Sequence, residues 1–219
     1  MKAIIDYFEQ LAIYSQSLLD RLPMQGQIYP LDYVLNDLHH CLKNIKKDET
    51  DSIRLMWPRC KKKMNLKNVH AGMNTIGMLT DRLTILIIKE WHLRQDKQNG
   101  KAGELYHTQT KDVIECLARC TPAKSVINAK ITTHTKVDFE ADDWEDAYYG
   151  LLAVNLIMWK SQETLYIKDI EGLPCEELRA HIRWFSRGNV ERNILIERCE
   201  KKYWEKLYRD EKSVCQRMF

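Results

Sequence analysis

Only 8 glycines and 5 prolines punctuate 219 residues, and no other feature limits the possible folds so tightly. Average usage would supply about twice as much glycine, and a sandwich or barrel needs a turn roughly every 8 to 12 residues, so an all-β fold is excluded. The same scarcity leaves neither a G-x-G-x-x-G fingerprint nor a G-x-x-x-x-G-K-[ST] loop. The sequence marks of dinucleotide binding and of phosphate-loop chemistry are therefore missing. With 44% hydrophobic and 30% charged residues, the chain fits a water-soluble globular class and is long enough to bury a core without outside staples.

Hydrophobic spacing supplies the elements. Residues 3 to 22 place Ile4, Phe8, Leu11, Leu18 and Leu22 on one face of an amphipathic helix, ended by Pro23 and Gly26. Pro30 opens a second helix through Leu31, Val34, Leu35, Leu38 and Leu42, closed by the polar run from Lys46 to Asp51. A third begins at Asn74, carries Leu79, Leu83, Leu86 and Trp91, and stops at the Asn99-Gly100 terminator. Glu104 to Cys120 forms a fourth. Asp142 and Asp143 cap a fifth that bears Trp144, Leu151, Val154 and Trp159. Cys175 to about Asp210 forms a last helix of roughly 35 residues, about 52 Å long, with Gly188 its one weak point. The expected architecture is all-α: a single-domain bundle over 1–219 of about six helices with a long C-terminal helix. Connections fall around 48–72 and 121–141. The core is expected at Leu79, Leu83, Leu86, Trp91, Leu151, Val154, Trp159, Ile194, Leu195 and Tyr203. Leu83, Leu86 and Trp91 also repeat as Leu151, Val154 and Trp159 at an offset of 68, a faint internal echo.

Charge and cysteine content address the compartment. The longest apolar run, Leu83 to Ile88, contains Thr84 and is closed by Lys89 and Glu90, so no span is expected. The opening Met1-Lys2-Ala3-Ile4-Ile5-Asp6 has charges where a secretory signal needs its apolar centre, which points to the cytoplasm. Seven scattered cysteines, an odd number, read as buried thiols rather than bridges. A net charge of +3 is too small to imply a global attraction for nucleic acid. Locally, Arg54, Arg59, Lys61, Lys62, Lys63 and Lys67 cluster beside Trp57, a pattern able to track a single-stranded phosphate backbone or simply to form a solvated face.

The polar residues inside apolar stretches are the candidates for a site. Asn74, Asp81, Ile85, Ile88 and His92 share one helical stripe, with Asp81 and His92 about 16 Å apart along the axis. Either these two mark the ends of a buried segment or the helix lines a cavity. Asn155, between Val154 and Leu156, needs a buried hydrogen-bond partner. Asn189, Asn193 and Glu197 recur every four residues with Arg192 beside them, and a buried arginine requires an acid. These needs converge on a polar layer joining Asp81, Asn155, Arg192 and Asn193, serving either the fold or a ligand.

Catalytic signatures are weaker. Glu140, Asp142, Asp143, Glu145 and Asp146 offer half of the paired-carboxylate magnesium pattern of helical nucleotide hydrolases, although acids at a helix start are favoured by the dipole alone. Cys116 and Cys120 lack a second ligand pair with zinc spacing. None of the seven histidines follows an arginine by five to seven residues, as the helical R-x(4–6)-H ribonucleases require. Ser nucleophile elbows are absent too. No cofactor is expected.

Three pieces of the chain carry a resemblance. Thr75-Ile76-Gly77-Met78-Leu79-Thr80-Asp81-Arg82-Leu83-Thr84-Ile85, followed by Lys89, Trp91 and His92, is similar to a T-I-G-E-L-I-D-[KR]-L-S-I-x-x-x-K-x-W-H motif. Asn155 to Trp159 resembles N-x-x-L-W, and Asn189 to Glu197 resembles N-x-x-R-N-x-L-I-E. Met78 stands where the first motif has an acid, and Met158 where the second has leucine. All three are similar to motifs of an uncharacterised bacterial helical family, a domain of unknown function, some of whose members are encoded near surface-polysaccharide synthesis genes. The resemblance implies a helical fold and candidate positions Asp81, Lys89, His92, Asn155, Arg192, Asn193 and Glu197.

The leading expectation is a non-catalytic cytoplasmic binding or assembly protein, with a protein partner or self-association through the 175–210 helix and no membrane span. One alternative is a metal-dependent nucleotide or phosphoester hydrolase using Asp81 with the 140–146 acids. The second is single-stranded nucleic-acid binding through the 54–67 segment.

Overall fold

Every element among the described residues is helical. A computed structural model describes residues 2–22, 31–43, 75–95, 100–120, 141–167 and 170–216. The helices are α1 (Lys2–Arg21), α2 (Leu31–Lys43), α3 (Ile76–Gln95), α4 (Gly100–Arg119), α5 (Trp144–Ile167) and α6 (Cys175–Gln216), with a 3₁₀ turn at Ile170–Gly172. The chain thus forms an all-α bundle, and one hydrophobic core takes side chains from all six helices. No helix of the described residues is long and apolar enough to cross a membrane.

α5 is the central rod. Each residue from Ala147 to Met158 is buried, so the helix has no solvent face there and must be surrounded on all sides. Its start is fixed locally by Asp143, whose carboxylate accepts the Asp146 amide at 2.9 Å, and by two acids in the first turn that suit the positive end of the dipole. Trp144, fully buried, donates its indole N–H to the Tyr7 hydroxyl at 2.9 Å and packs edge-on against Phe8 and Tyr203, so α1, α5 and α6 meet around one indole. A second polar tie, Ser15 to Tyr148 at 2.6 Å, keeps α1 against α5.

α6 runs antiparallel to both α5 and α3. Lys206 pairs with Glu145, Lys202 donates to the Asp142 carbonyl at 2.9 Å, and Gly188 lies against Met158 far along the same contact. On its other flank, α6 carries Cys175, Leu178, Ile182, Phe185, Asn189, Arg192 and Ile196 at alternating spacings of three and four, a heptad stripe. The C-terminal part of that stripe meets the start of α3.

Several expectations are corrected. α3 ends at Gln95, and Gly100 opens α4 instead of closing α3. A glycine is tolerated in a first turn, where the amides lack intrahelical partners in any case. α4 therefore starts four residues before Glu104, and α6 extends to Gln216 rather than about Asp210. Trp91, Trp159 and Ile194 are half-buried residues packed against the core rather than members of it. Cys41 and Cys199 are buried, but Cys116 and Cys175 are exposed and Cys120 is intermediate, all five unbridged. Residues 51–74 and 121–140 lie outside the described residues, and the basic cluster from Arg54 to Lys67 lies with them.

Two glycines set the helix spacing. A Cβ at Gly77 would stand 2.2 Å from the Ile196 carbonyl oxygen, a rigid backbone atom, whereas one at Gly188 would stand 2.7 Å from the flexible Met158 Cγ. Gly77→Ala should therefore cost about 3 kcal/mol by forcing α3 away from α6. Gly188→Ala should change stability by less than about 1 kcal/mol, because Met158 repacks and alanine is the better helix former. Urea unfolding of both variants checks this, and equal losses would refute the rigid contact at Gly77.

Candidate functional site: a buried Asp–Arg–Asn layer

Three helices deliver the four members of a polar cluster. On α3, Asp81 is 4% exposed and Thr84 is fully buried one turn later. On α5, Asn155 donates through Nδ2 to Asp81 Oδ1 and to Thr84 Oγ1, both at 2.9 Å. Thr84 in turn donates to the Asp81 carbonyl at 2.8 Å, so the hydroxyl is oriented to accept from the amide. From α6, Arg192 closes the layer with a two-pronged contact, Nε to Oδ1 at 2.7 Å and Nη2 to Oδ2 at 2.5 Å. Hydrogen bonding to Asp81 holds the guanidinium still more firmly in its charged form.

The two charges are not equally shielded. The Asp81 side chain retains 6% of its exposure and the Arg192 side chain 27%. Nε and Nη2 are spent on Asp81, and Nη1 finds no partner among the described residues. The carboxylate is thus sealed, while the arginine side chain remains partly open to solvent.

A second buried carboxylate, missed in the sequence, secures the same helix pair. Glu200 accepts the Gly77 amide at 2.8 Å and the Trp204 indole N–H at 2.6 Å, so a residue of α6 caps the start of α3. Thr75 adds a local cap, accepting the Met78 amide at 3.2 Å. The only signal for Glu200 was its place one turn before Trp204 and one turn after Ile196.

The remaining sequence candidates do not join the layer. His92 sits at the other end of α3, stacked on Trp159 at 5.3 Å and edge-on to Trp91 at 4.8 Å. Its Nε2 and the Trp159 Nε1 are both buried without a partner among the described residues. Lys89 lies over the Tyr106 ring of α4 at 5.2 Å. Asn193 and Glu197 are half-buried on α6, and burial raises the Glu197 carboxyl above its usual value. Asp81 lies well inside the buried part of α3, after the buried Ile76, Leu79 and Thr80, whereas His92 lies beyond Ile88, the last buried residue of the helix, so the two do not mark matching ends of one buried segment.

The acids at the start of α5 are not assembled with Asp81. Asn155, which touches Asp81, lies nine residues beyond Asp146, about 13 Å along the helix. Asp143 serves as the cap, Glu145 is paired with Lys206, and Asp146 lies 4.0 Å from His39. Glu140 lies outside the described residues. Among the described residues, no group of three or more His, Cys, Asp or Glu side chains is placed to hold a metal ion, Cys116 and Cys120 included.

Two measurements probe the layer and His92. Arg192→Met strands a sealed carboxylate and should cost about 3 to 5 kcal/mol, while Asp81→Leu with Arg192→Met removes both charges and should recover much of that loss. A melting temperature unchanged in Arg192→Met would mean that the layer carries no stability. Burial, partly offset by nearby Glu163, lowers the His92 pKa below 6.5. Below about pH 6.5 the unfolded chain therefore takes up a proton at His92 that the folded chain refuses, and stability is lost as pH falls through that window. Urea unfolding at about pH 7.5 and about pH 5.5 should show a smaller loss in His92→Phe than in the wild type. An equal loss would remove His92 from the balance.

Compared with family models, with curated proteins and with solved structures, the chain finds no match, so the reading of this site rests on its own geometry.

Proposed function

We propose that the chain is a non-catalytic cytoplasmic binding and assembly protein that associates with itself through the N-terminal half of α6. One observation carries this reading. The heptad stripe of α6 meets α3 at Arg192 and Ile196, the latter 2% exposed, yet its earlier positions are bare: Ile182 is 51% and Phe185 46% exposed. Tyr166, Ile167 and Ile170, at the adjoining end of α5 and in the turn, are exposed as well. Large apolar side chains gathered at one end of a bundle mark an interaction surface, because leaving them in water costs free energy that a partner recovers.

The polar layer fits this reading better than it fits catalysis. Both oxygens of Asp81 are engaged by Arg192, which leaves the carboxylate no role as a metal ligand or base while the pair persists. The unbridged, exposed thiols Cys116 and Cys175 suit a reducing compartment. Membership of the bacterial helical family that the motifs resemble is part of the same proposal, supported by the meeting of Asp81, Asn155 and Arg192, one residue from each motif.

Multi-angle light scattering at micromolar concentration tests the reading. The wild type should run as a dimer or larger species, and Ile182→Glu with Phe185→Glu should run as a monomer of unchanged circular dichroism. A strictly monomeric wild type would overturn self-association.

A further inference from the structure

We infer that the exposed N-terminal half of α6 docks on the surface of an anionic lipid bilayer, with Arg179 and Arg183 against the headgroups and Ile182 dipping between them. The inference goes beyond the self-association proposed above. A second copy can cover Ile182 and Phe185 but brings arginines of its own, whereas an anionic bilayer answers both the apolar and the charged part of the face.

The charge of this face is one-sided. From Leu178 to Val190 the chain carries three arginines and no acid. Arg179, Arg183 and Arg187 recur every four residues and are all exposed, so they form one row along the helix with about 6 Å of rise between neighbours. None of the three has an ion pair among the described residues. Arg183 rests over the Trp184 ring at 5.9 Å, a contact that leaves its charge unneutralised. The nearest acids do not answer the row: Glu176 stands in the first turn of α6, where the helix dipole favours it, and Glu177 turns to the buried His181 at 3.6 Å. Like charges four residues apart repel one another, and an anionic surface replaces that repulsion with attraction.

Helical phase puts apolar and basic side chains on one exposed arc. His181, Trp184 and Gly188 face the interior, and the exposed Ser186 lies opposite them. Around the helix Ser186 stands about 40° from Ile182, about 20° from Arg179 and about 60° from Arg183. A flat surface laid against Ser186 therefore meets Ile182, Arg179 and Arg183 together, while Phe185 and Arg187 stand at the two margins. Arginine suits this place, because its apolar stem lies along the acyl boundary while its head stays among the phosphates. Tyr166 and Ile167, both 76% exposed, extend the apolar part at the same end: Gly188 lies against Met158, so along the antiparallel pair Tyr166 comes level with Ala180. The aliphatic side chains favour a bilayer over a nucleic acid, since isoleucine is buried by acyl chains but offers no ring on which a base can stack. No helix of the described residues is built to cross a membrane, so the contact is peripheral.

Flotation of the full chain with lipid vesicles tests the docking. The wild type should float with phosphatidylglycerol vesicles at low salt, be released as salt rises, and stay behind when the vesicles are phosphatidylcholine alone. Arg179→Gln with Arg183→Gln should weaken vesicle binding about thirtyfold, about fivefold for each arginine near the surface, with circular dichroism and the oligomeric state by light scattering unchanged. A wild type that does not float, equal binding to both kinds of vesicle, or a double variant that binds as tightly as the wild type would overturn the docking while leaving self-association standing. Retention of the chain by a poly-dT oligonucleotide in place of vesicles would overturn it too. A monomer by light scattering that still floats with phosphatidylglycerol vesicles leaves the docking in place and overturns self-association alone.

Discussion

A carboxylate sealed among apolar helices is intolerable unless its charge is answered, and Asp81 is answered from two directions at once. Arg192 supplies the countercharge from α6, and Asn155 supplies a neutral donor from α5. Neither bond survives a shift of one helix along another, because a one-residue rise of about 1.5 Å takes a hydrogen bond out of range. The layer therefore acts on register as well as on energy. It tells three helices, each able to slide within a mainly apolar interface, where to stop. Glu200 repeats the device further along α6, fixing the start of α3 on the same face.

How much of this was legible depended on whether the relevant signal was local. The buried position of Asn155 could be read because its neighbours on both sides are apolar, and the need of Arg192 for an acid followed from the cost of a lone buried charge. The long C-terminal helix showed itself through the absence of proline over more than thirty residues, with Gly188 the one weak point. Glu200 remained hidden because its partner, the Gly77 amide, is 123 residues away, and backbone amides leave no mark on a sequence. Gly77 gave no sign of its role, since close approach is a property of two helices and neither reveals it alone. Trp91 and Trp159 looked like core by type and spacing, but each sits where its helix leaves the bundle interior, so the indoles are only partly covered. The exposed thiols misled in the same manner: cysteine is more often buried than not, and helical phase decided otherwise for Cys116 and Cys175.

The contrast between the two flanks of α6 ties stability to association. Toward α5 the helix is packed along much of its length, from Trp184 to Leu207. Toward α3 it is packed at Arg192, Ile196 and Glu200, and the arginine that ends the covered part is itself partly exposed. A single side chain thus stands on the boundary between the interior and the surface. Its Nε and Nη2 hold the bundle together, and its Nη1 has no partner among the described residues.

α5, buried on all sides, has a consequence for the order of biosynthesis. Among the described helices it is the second-to-last to leave the ribosome, and α6, which covers one of its flanks and carries Arg192, is the last. Until α6 has emerged, the nascent chain presents an uncovered apolar flank of α5 and an Asp81 carboxylate with no guanidinium to meet it. The bundle can then close only once α6 is made, and the interval between the emergence of α5 and that of α6 is when the chain most needs the shelter of a chaperone.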